Sequence, residues 1–321
     1  MELDVLDRAL IHALQVDGRA PFRRIGETLG VSDQTVARRY GRLRSAQALW
    51  VVGVSDPVVV GEVQWMLRAG CAPEAAAEIA EALARRPDTS WISLNSGGTQ
   101  IVCSLQAADT AAADEMLLGK LPRTPHLHDL SADRVLHVFY GGPRQRASKD
   151  GPLTGEQMAR LAEHAPEPCP PRPLDQLDRQ LLQLLRTDGR TSVEDLARTC
   201  TTSPSTIRRH LAELRGSGVL QLDVDIAPAV ADHSMRTVLY LNVLPAHLHA
   251  TGQALATHRE VPFAAATTGR TNLVAIVTAP DPAAFYRYLT TSVAALPGVT
   301  STESTPVIRT VKATGTRFPA R

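Results

Sequence analysis

Four arginines lie close together on one short stretch near the start of the chain. The window from Gln34 to Arg44 carries four arginines and no acidic residue, a net charge of +4. If this window is a helix, one of its faces carries Thr35, Arg38, Arg39 and Arg42. Arginine can pair with guanine through two hydrogen bonds and can neutralise phosphates, and a helix fits the DNA major groove. The pattern therefore favours double-stranded DNA as a partner.

The spacing of apolar residues predicts the elements that would position this face. A first helix carries Leu6, Leu10, Ile11 and Leu14 at helical spacing and ends at Asp17-Gly18, and a second, shorter helix ends at Gly30. Ser32 stands where an N-cap belongs, so that the third helix starts there. Its other face carries Val36, Tyr40 and Leu43, which should pack on the first two helices. This is the plan of a helix-turn-helix.

The same plan occurs twice. LDVLDRALIHALQVDGR, from Leu3, recurs as LDQLDRQLLQLLRTDGR, from Leu174, and the offset of 171 holds for about fifty positions. The second window, Ser205 to Arg215, has three arginines and Glu213, and Glu213 stands where the first copy has Arg42. The second copy should therefore bind phosphate more weakly or read a different half-site. The predicted DNA-contacting residues are Ser32, Gln34, Thr35, Arg38, Arg39 and Arg42 in the first copy, and Ser203, Ser205, Thr206, Arg208, Arg209 and His210 in the second, with Ile207, Leu211 and Leu214 facing inward.

An α/β module follows each helix-turn-helix. Strand-like runs from Leu49 and Val219 predict a wing or a connecting strand, and the patterns beyond them give the order βαββαβ twice, which is a ferredoxin-like motif. The expected class is α+β, with two winged-helix/HTH domains and two ferredoxin-like domains. The expected boundaries are HTH 1 at 1–55, sensing domain 1 at 56–142, a proline-rich linker with a short helix at 143–173, HTH 2 at 174–227 and sensing domain 2 at 228–321.

Composition limits the other classes of protein. Hydrophobic residues make up 44% and charged residues 21% of the chain, which is typical of a globular protein. The first residues, MELDVLDRAL, do not resemble a secretory signal. We therefore expect a cytoplasmic location and no membrane contact. The four cysteines are widely spaced and the ten histidines lack helical pairing, so we expect neither a metal nor a cofactor. The net charge of +1 means that any DNA-binding surface must be local.

The combination resembles the Lrp/AsnC, or feast-famine, family of transcription factors. VSDQTVARRYGRLR is similar to that family's recognition helix, and LPGVTSTESTPVIRTVK, from Leu296, to the end of its sensing (RAM) module. The resemblance implies a sequence-specific transcriptional regulator, a homodimer or higher homo-oligomer, and an amino acid or related metabolite as effector. The effector would bind near the turns between the second and third strands, at Gly97, Gly98, Thr99 and Gln100, and at Thr268, Gly269, Arg270, Thr271 and Asn272.

These two turns differ in chemistry. Arg270 could hold a carboxylate or could be an ordinary turn arginine, whereas the uncharged first turn favours a purely structural hairpin.

Two other functions fit the sequence less well. Siroheme decarboxylases resemble the same architecture, and such an enzyme would use His126, His128, His137 and Arg309, which lack a recognisable acid–base cluster. We therefore predict no catalytic residue. The weaker second basic face leaves a third possibility, a ligand-binding scaffold in which DNA binding has decayed.

Overall fold

The computed structural model describes residues 2–142, 149, 151–163, 166–230 and 235–318. These residues group into two compact units, of which unit 1 comprises 1–60, 143–230 and 314–316, and unit 2 comprises 61–142, 231–313 and 317–321. Each copy of the repeat is divided between them, with its HTH in unit 1 and its α/β module in unit 2. The α+β class is confirmed.

Unit 1 contains two three-helix bundles, each with its own apolar core. In both bundles a short second helix precedes the recognition helix, as the sequence predicts. The first bundle comprises α1 (Val5–Val16), α2 (Phe22–Leu29) and α3 (Asp33–Ser45), followed by β1 (Leu49–Ser55) and the short α4 (Pro57–Val60); α7 (Gly155–Ala162) precedes the second bundle, which comprises α8 (Gln176–Thr187), α9 (Val193–Thr199), α10 (Pro204–Gly216) and β6 (Leu220–Ile226).

The strands after the two bundles pair with each other. β1 and β6 form an antiparallel ribbon in which Val52 lies opposite Asp223, near its centre. Leu222 and Val224 of β6 belong to the core around α1 to α3, so the second copy contributes to the core of the first. The sequence predicts a wing or a connecting strand at each of these runs, and in the structure the two strands pair with each other, so that the edges that two separate wings would leave open join the copies.

The segment expected to be a linker contributes to the core of unit 1. It contains the expected short helix, α7, but Leu161 and Leu153 are buried among the residues of α1 to α3. The amide of Leu153 donates to Nδ1 of His12 at 3.2 Å, and the Gln157 side chain donates to the carbonyl of Thr28 at 3.1 Å. This part of the segment is therefore fixed structure and not a flexible tether.

Leu161→Ala tests this assignment. Leu161 is fully buried, and truncating a buried leucine costs about 3 kcal/mol, from lost apolar burial and from the cavity left behind. We expect the free energy of unfolding of unit 1 to fall by that amount in urea denaturation followed by far-UV circular dichroism. Met158→Ala, at a partly buried position on the same helix, should cost less, and equal small losses from both variants would mean that α7 is not part of the core.

Unit 2 is built from two βαββαβ modules, as predicted. In each module the last strand lies beside the first, and the strand order is 4-1-3-2. Apolar side chains on one side of each sheet pack against that module's helices. The first module comprises β2 (Val63–Cys71), α5 (Pro73–Ala84), β3 (Thr89–Asn95), β4 (Gln100–Ala107), α6 (Thr110–Asp114, continued by a π-helical turn) and β5 (Leu127–Tyr140); the second comprises β7 (Met235–Val243), α11 (Leu248–Thr257), β8 (Phe263–Thr267), β9 (Leu273–Ala279), α12 (Pro282–Tyr288, also continued by a π-helical turn) and β10 (Val299–Lys312).

The two sheets of unit 2 join edge to edge into a closed eight-stranded barrel. The last strand of each module is 14 residues long and pairs with both modules. β5 pairs with β2 and then with β8, while β10 pairs with β7 and then with β3. The two modules of one chain therefore complete each other's sheet. Among the described residues, no helix has the length and apolar character needed to cross a membrane.

Candidate nucleic-acid interface

Serine caps start both recognition helices. The Oγ of Ser32 accepts from the amide of Thr35 at 3.1 Å, and the Oγ of Ser203 accepts from the amide of Thr206 at the same distance. Gly30 adopts φ 69° and ends α2, which a side chain would hinder. The two serines predicted to contact DNA therefore also fix where each recognition helix begins.

The inward faces of both helices are as the sequence predicts. Val36 and Leu43 are buried in the first core, and Tyr40 packs against it. In the second bundle the buried residues are Ile207, Leu211 and Leu214.

The opposite faces present polar and cationic groups to solvent. Gln34 and Arg38 are exposed on α3, and no ion pair to Arg38 occurs within the described residues. On α10, Ser205, Arg208 and Arg209 are exposed, and the two arginines make surface ion pairs with Glu194 and Glu213. Surface ion pairs of this kind contribute little to the stability of the fold. These faces are chemically suited to DNA.

Arg39 and Arg42 are expected from the sequence to face solvent without a protein partner, but both are paired with an acidic residue. Both bind the carboxylate of Asp7, which is fully buried at the start of α1, and Arg39 Nη1 lies 2.9 Å from Asp7 Oδ1. Hydrogen bonds to Asp4 and Asp7 raise the pKa of Arg39. These two arginines anchor α3 on α1 because a buried carboxylate needs a cationic partner.

His210 is the clearest correction to the predicted DNA face. It occupies the place of Arg39 in the second copy, but it is buried, and its Nδ1 lies 2.8 Å from Oδ1 of Asp178, the counterpart of Asp7. The helical wheel places this position at the edge of the outward face, where a side chain can turn back toward the first helix. His210 therefore cannot reach DNA in this conformation.

Asp178 is the buried centre of a polar cluster that sequence reasoning missed. Its carboxylate binds His210 and also Arg172, at 2.5 Å. Asp175, Asp178 and His210 bring potential metal ligands within 4.8 Å of one another, but Arg172 already supplies a cation there. Burial is the largest single influence and raises the pKa of Asp178, but the hydrogen bonds from Arg172, His210 and the Asp175 backbone, with the charge of Arg172, together lower it to about 2.

This pKa predicts an acid-sensitive contribution to stability. A carboxyl group with a folded-state pKa near 2 and an unfolded value of 3.8 stabilises the folded state above pH 3.8, by about 2 kcal/mol, and loses that contribution as the pH falls through 2. We expect Asp178→Asn to lose much of its stability at neutral pH and to show a flatter decline of the free energy of unfolding between pH 4 and about 2. Asp129→Asn, at an exposed acid, serves as the control, and a wild-type slope retained in Asp178→Asn would contradict the assignment.

Two arginines hold the bundles together by reciprocal contacts. Arg19 donates to the carbonyls of Gly189 and Thr191 at 2.7 and 2.9 Å, and Arg190 donates to those of Gly18 and Ala20 at 2.7 and 3.1 Å. Burial and the neighbouring Arg190 and Arg215 guanidinium groups lower the pKa of Arg19 to about 10. Unit 1 therefore has the internal symmetry of a dimer made from one chain.

A signal for these missed residues was present in the repeat itself. The second Asp of LDxLDR is Asp7 in the first copy and Asp178 in the second. The Arg of DGR is likewise Arg19 and Arg190. A charged residue kept at the same place in both copies, beside apolar positions, is a candidate for a structural pair.

Comparisons with known proteins identify the family. The AsnC-type helix-turn-helix domain matches residues 3–44 and 174–215, and the Lrp/AsnC ligand binding domain matches residues 239–316. The chain belongs to the Lrp/AsnC family. Together these segments make up half of this Lrp/AsnC protein, and the unmatched first module of unit 2 has the same strand order as the matched second one.

Individual relatives agree with this assignment. An uncharacterized HTH-type transcriptional regulator of Pyrococcus horikoshii is 29% identical over 143 residues, covering 44% of this chain and 90% of the relative. The HTH-type transcriptional regulator FL11 of the same organism is 25% identical over 150 residues, covering 46% of this chain and 98% of the relative. Each relative thus corresponds to about one copy of the repeat.

The siroheme decarboxylase NirDL has a similar fold over nearly its whole length. Its crystal structure superposes with a TM-score of 0.64 at 12% identity, covering 97% of this chain and 93% of that chain. At this identity the likeness shows a common fold.

The two candidate effector turns of this Lrp/AsnC protein differ in how their polar groups are used. In the second turn the Asn272 amide pairs with the backbone of Val243, and Thr268 pairs with the backbone of Arg134. Gly269 adopts φ 102°, and a Cβ there would meet the carboxylate of Asp133. Arg270 is exposed, while Thr271 supplies a carbonyl to Thr267. Most of this turn is therefore committed to structure.

In the first turn, buried polar atoms are left without partners. Gly97 and Gly98 adopt positive φ, and Thr99 donates to the carbonyl of Ser96. Asn95 is fully buried, and within the described ranges neither polar atom of its amide has a partner, nor does Oε1 of Gln100. Gln100 lies directly opposite Asn95 on the neighbouring strand. Such atoms carry unused hydrogen-bonding capacity.

Proposed function

We propose that this Lrp/AsnC protein is a ligand-responsive, sequence-specific transcriptional regulator in which one chain supplies two recognition helices. The observation that carries the proposal is the reciprocal arginine pair together with the β1–β6 ribbon, which join two HTH bundles in one unit while their cationic faces stay exposed. A two-fold pair of recognition helices is the arrangement that reads paired half-sites.

The two half-sites should differ in sequence. The exposed positions of α3 carry Gln34, Ala37 and Arg38, whereas the equivalent positions of α10 carry Ser205, Arg208 and Arg209. Side chains that differ in donors and length recognise different base edges. A single chain would therefore bind an asymmetric operator, and a homodimer or larger assembly would bind two such operators.

Selection of bound sequences from a random DNA pool tests this proposal. We expect one enriched site that contains two different half-sites about one helical turn apart, and footprinting at moderate salt should protect both halves. A perfectly palindromic consensus would contradict the asymmetry, and failure to enrich any sequence would contradict DNA-specific regulation and favour the scaffold alternative.

The effector, a small amino acid or related polar metabolite, is proposed to bind at the first turn, around Asn95, Gly97, Gly98, Thr99 and Gln100. The support is the buried amide of Asn95 beside Gln100 Oε1, because a bound ligand with both donors and acceptors would satisfy these atoms. The uncharged first turn is thus better suited to a ligand than the sequence suggests. At the second turn, Arg270 offers a single exposed cation for a carboxylate.

A thermal-shift screen against amino acids and small carboxylic acids distinguishes the two turns, since a ligand that binds the folded state raises its melting temperature. We expect Asn95→Ala to abolish the shift, and Arg270→Ala to retain it. Asn242→Ala, which removes an exposed amide bonded to Ser301, is the matched control. Loss of the shift in Arg270→Ala with retention in Asn95→Ala would move the site to the second turn.

Decarboxylation of a tetrapyrrole receives less support from the arrangement of the candidate residues. His128 and His137 lie nine residues apart on β5, which separates their Cα atoms by about 30 Å. His126, His128 and His137 are exposed, and Arg309 pairs in register with Leu94 on another strand. Adding siroheme to the protein and recording its absorption spectrum is the direct test, because binding and turnover would both change the spectrum.

A further inference from the structure

Residues 167–173, which we call the strap, lie along the C-terminal end of α10. The amide of Cys169 donates to the carbonyl of Gly216 at 3.2 Å, and its thiol donates to the carbonyl of Glu213 at 3.5 Å. Gly216 permits this approach, since a Cβ there would lie 2.3 Å from the carbonyl oxygen of Glu167. The first copy has Ser45 at the equivalent position, so this close packing belongs to the second copy.

Arg172 extends from the strap into the polar cluster beneath α10. Its guanidinium binds both oxygens of Asp178, at 2.5 and 3.1 Å, and Oε2 of Glu213 through Nε and Nη2, at 3.1 and 2.9 Å. Hydrogen bonds to Asp178 and Glu213 raise the pKa of Arg172. In the first copy Arg42 of the recognition helix itself binds the equivalent carboxylate, Asp7. The strap thus supplies the cation that α10 lacks, because Glu213 stands where α3 has Arg42.

The contact continues to the exposed face of α10. While Oε2 of Glu213 binds Arg172, its Oε1 accepts from Nη1 of Arg209 at 3.1 Å. The Arg209 side chain is 61% exposed, and its counterpart Arg38 makes no such pair within the described residues. A held guanidinium loses less side-chain freedom on binding and presents its donors in one orientation. Arg209 is therefore oriented by Glu213, which the strap holds, and by a contact between its Nη2 and Nε2 of His210 at 3.1 Å.

We propose that Arg172 is a positioning residue that sets the base preference of the second recognition helix, by holding Glu213 and through it Arg209. The proposal rests on the DNA-binding function proposed above. It makes the strap a specificity element for one half-site, since the described strap contacts reach α8 and α10 but not α3.

Three variants separate orientation of Arg209 from simple stability. Arg172→Ala removes the bridging cation, and Gly216→Ala displaces the strap without changing any charge. The double variant Arg172→Ala/Glu213→Arg gives Asp178 a cation from α10 itself, as Arg42 does for Asp7, but removes the Glu213 carboxylate that accepts from Arg209 and leaves Arg209 its contact with His210. Arg160→Ala, which removes an exposed arginine paired with Glu156, is the matched control.

The measurement is binding to the selected operator with every base pair substituted in turn, together with the melting temperature of each variant. We expect Arg172→Ala and Gly216→Ala to lower discrimination about tenfold at one or two positions of a single half-site, the size of a weakened bidentate base contact. The other half-site should keep its preferences. The double variant should recover the melting temperature but not the discrimination, and Arg160→Ala should match the wild type.

Two results would overturn the inference. One is a wild-type base preference in Arg172→Ala and in the double variant, and the other is an equal loss at both half-sites that follows the melting temperature. A wild-type protein that selects no DNA sequence would instead refute the proposed function, so the two failures are distinguishable.

Discussion

The double variant Arg19→Ala/Arg190→Ala should lower the free energy of unfolding of unit 1 by about 4 kcal/mol. Together the two guanidiniums donate five hydrogen bonds to backbone carbonyls of the opposite copy, and Arg190 also lies over the ring of Phe22 at 4.5 Å. Hydrogen bonds from charged donors contribute about 1.5–3 kcal/mol each, from which the cost of burying two neighbouring cations must be subtracted. Urea denaturation followed by far-UV circular dichroism measures the change.

Arg23→Ala provides the control for this prediction. Arg23 is a solvent-exposed arginine on α2 that pairs with the exposed Glu27, and such pairs contribute less than about 1 kcal/mol. A loss no larger than that of Arg23→Ala would show that the β1–β6 ribbon alone joins the two bundles. The single variants should each show less than half of the effect, because removing either guanidinium also relieves its repulsion from the other.

The second large effect concerns DNA. Arg38→Ala/Arg209→Ala should weaken binding to the selected operator roughly a thousandfold, because each arginine offers a bidentate base contact worth about 1–3 kcal/mol. Both side chains are exposed, so their removal should leave the melting temperature nearly unchanged. Fluorescence anisotropy with a labelled operator, at fixed salt, measures the affinity.

The control for this experiment removes the same charge from unit 2. Arg123→Ala/Arg287→Ala deletes two exposed arginines of the α/β modules and should change affinity less than threefold. Equal effects of the two double variants would mean that the exposed faces of α3 and α10 do not read bases.

Much of the fold could be predicted because its signals are local. The Ser32 and Ser203 caps, the glycine that ends α2 and the buried residues of α3 and α10 all follow from spacing over a few residues. The βαββαβ order follows equally from short patterns. These elements would be the same whatever they pack against.

What could not be predicted depends on contacts between distant parts of the chain. A wheel separates two faces of α3, but it does not show that Asp7, 32 positions earlier, draws Arg39 back. The runs that form β1 and β6 have the same pattern whether they make two wings or one ribbon, because pairing is decided by the partner. Residues 143–148 of the expected linker lie outside the described residues, whereas 151–163 form part of a core because Leu153 and Leu161 find apolar neighbours there.

In the closed barrel of unit 2, each strand pairs on both sides with strands of the same chain. Both sheet edges through which a second polypeptide could add a strand are already occupied by β5 and β10 of the same molecule. Because this pairing lies within one chain, dilution does not separate the two modules. The two copies can therefore accumulate different substitutions and still pair, because they belong to one chain. Equivalent positions of the two recognition helices already differ, as Gln34 and Ser205 or Arg42 and Glu213 show.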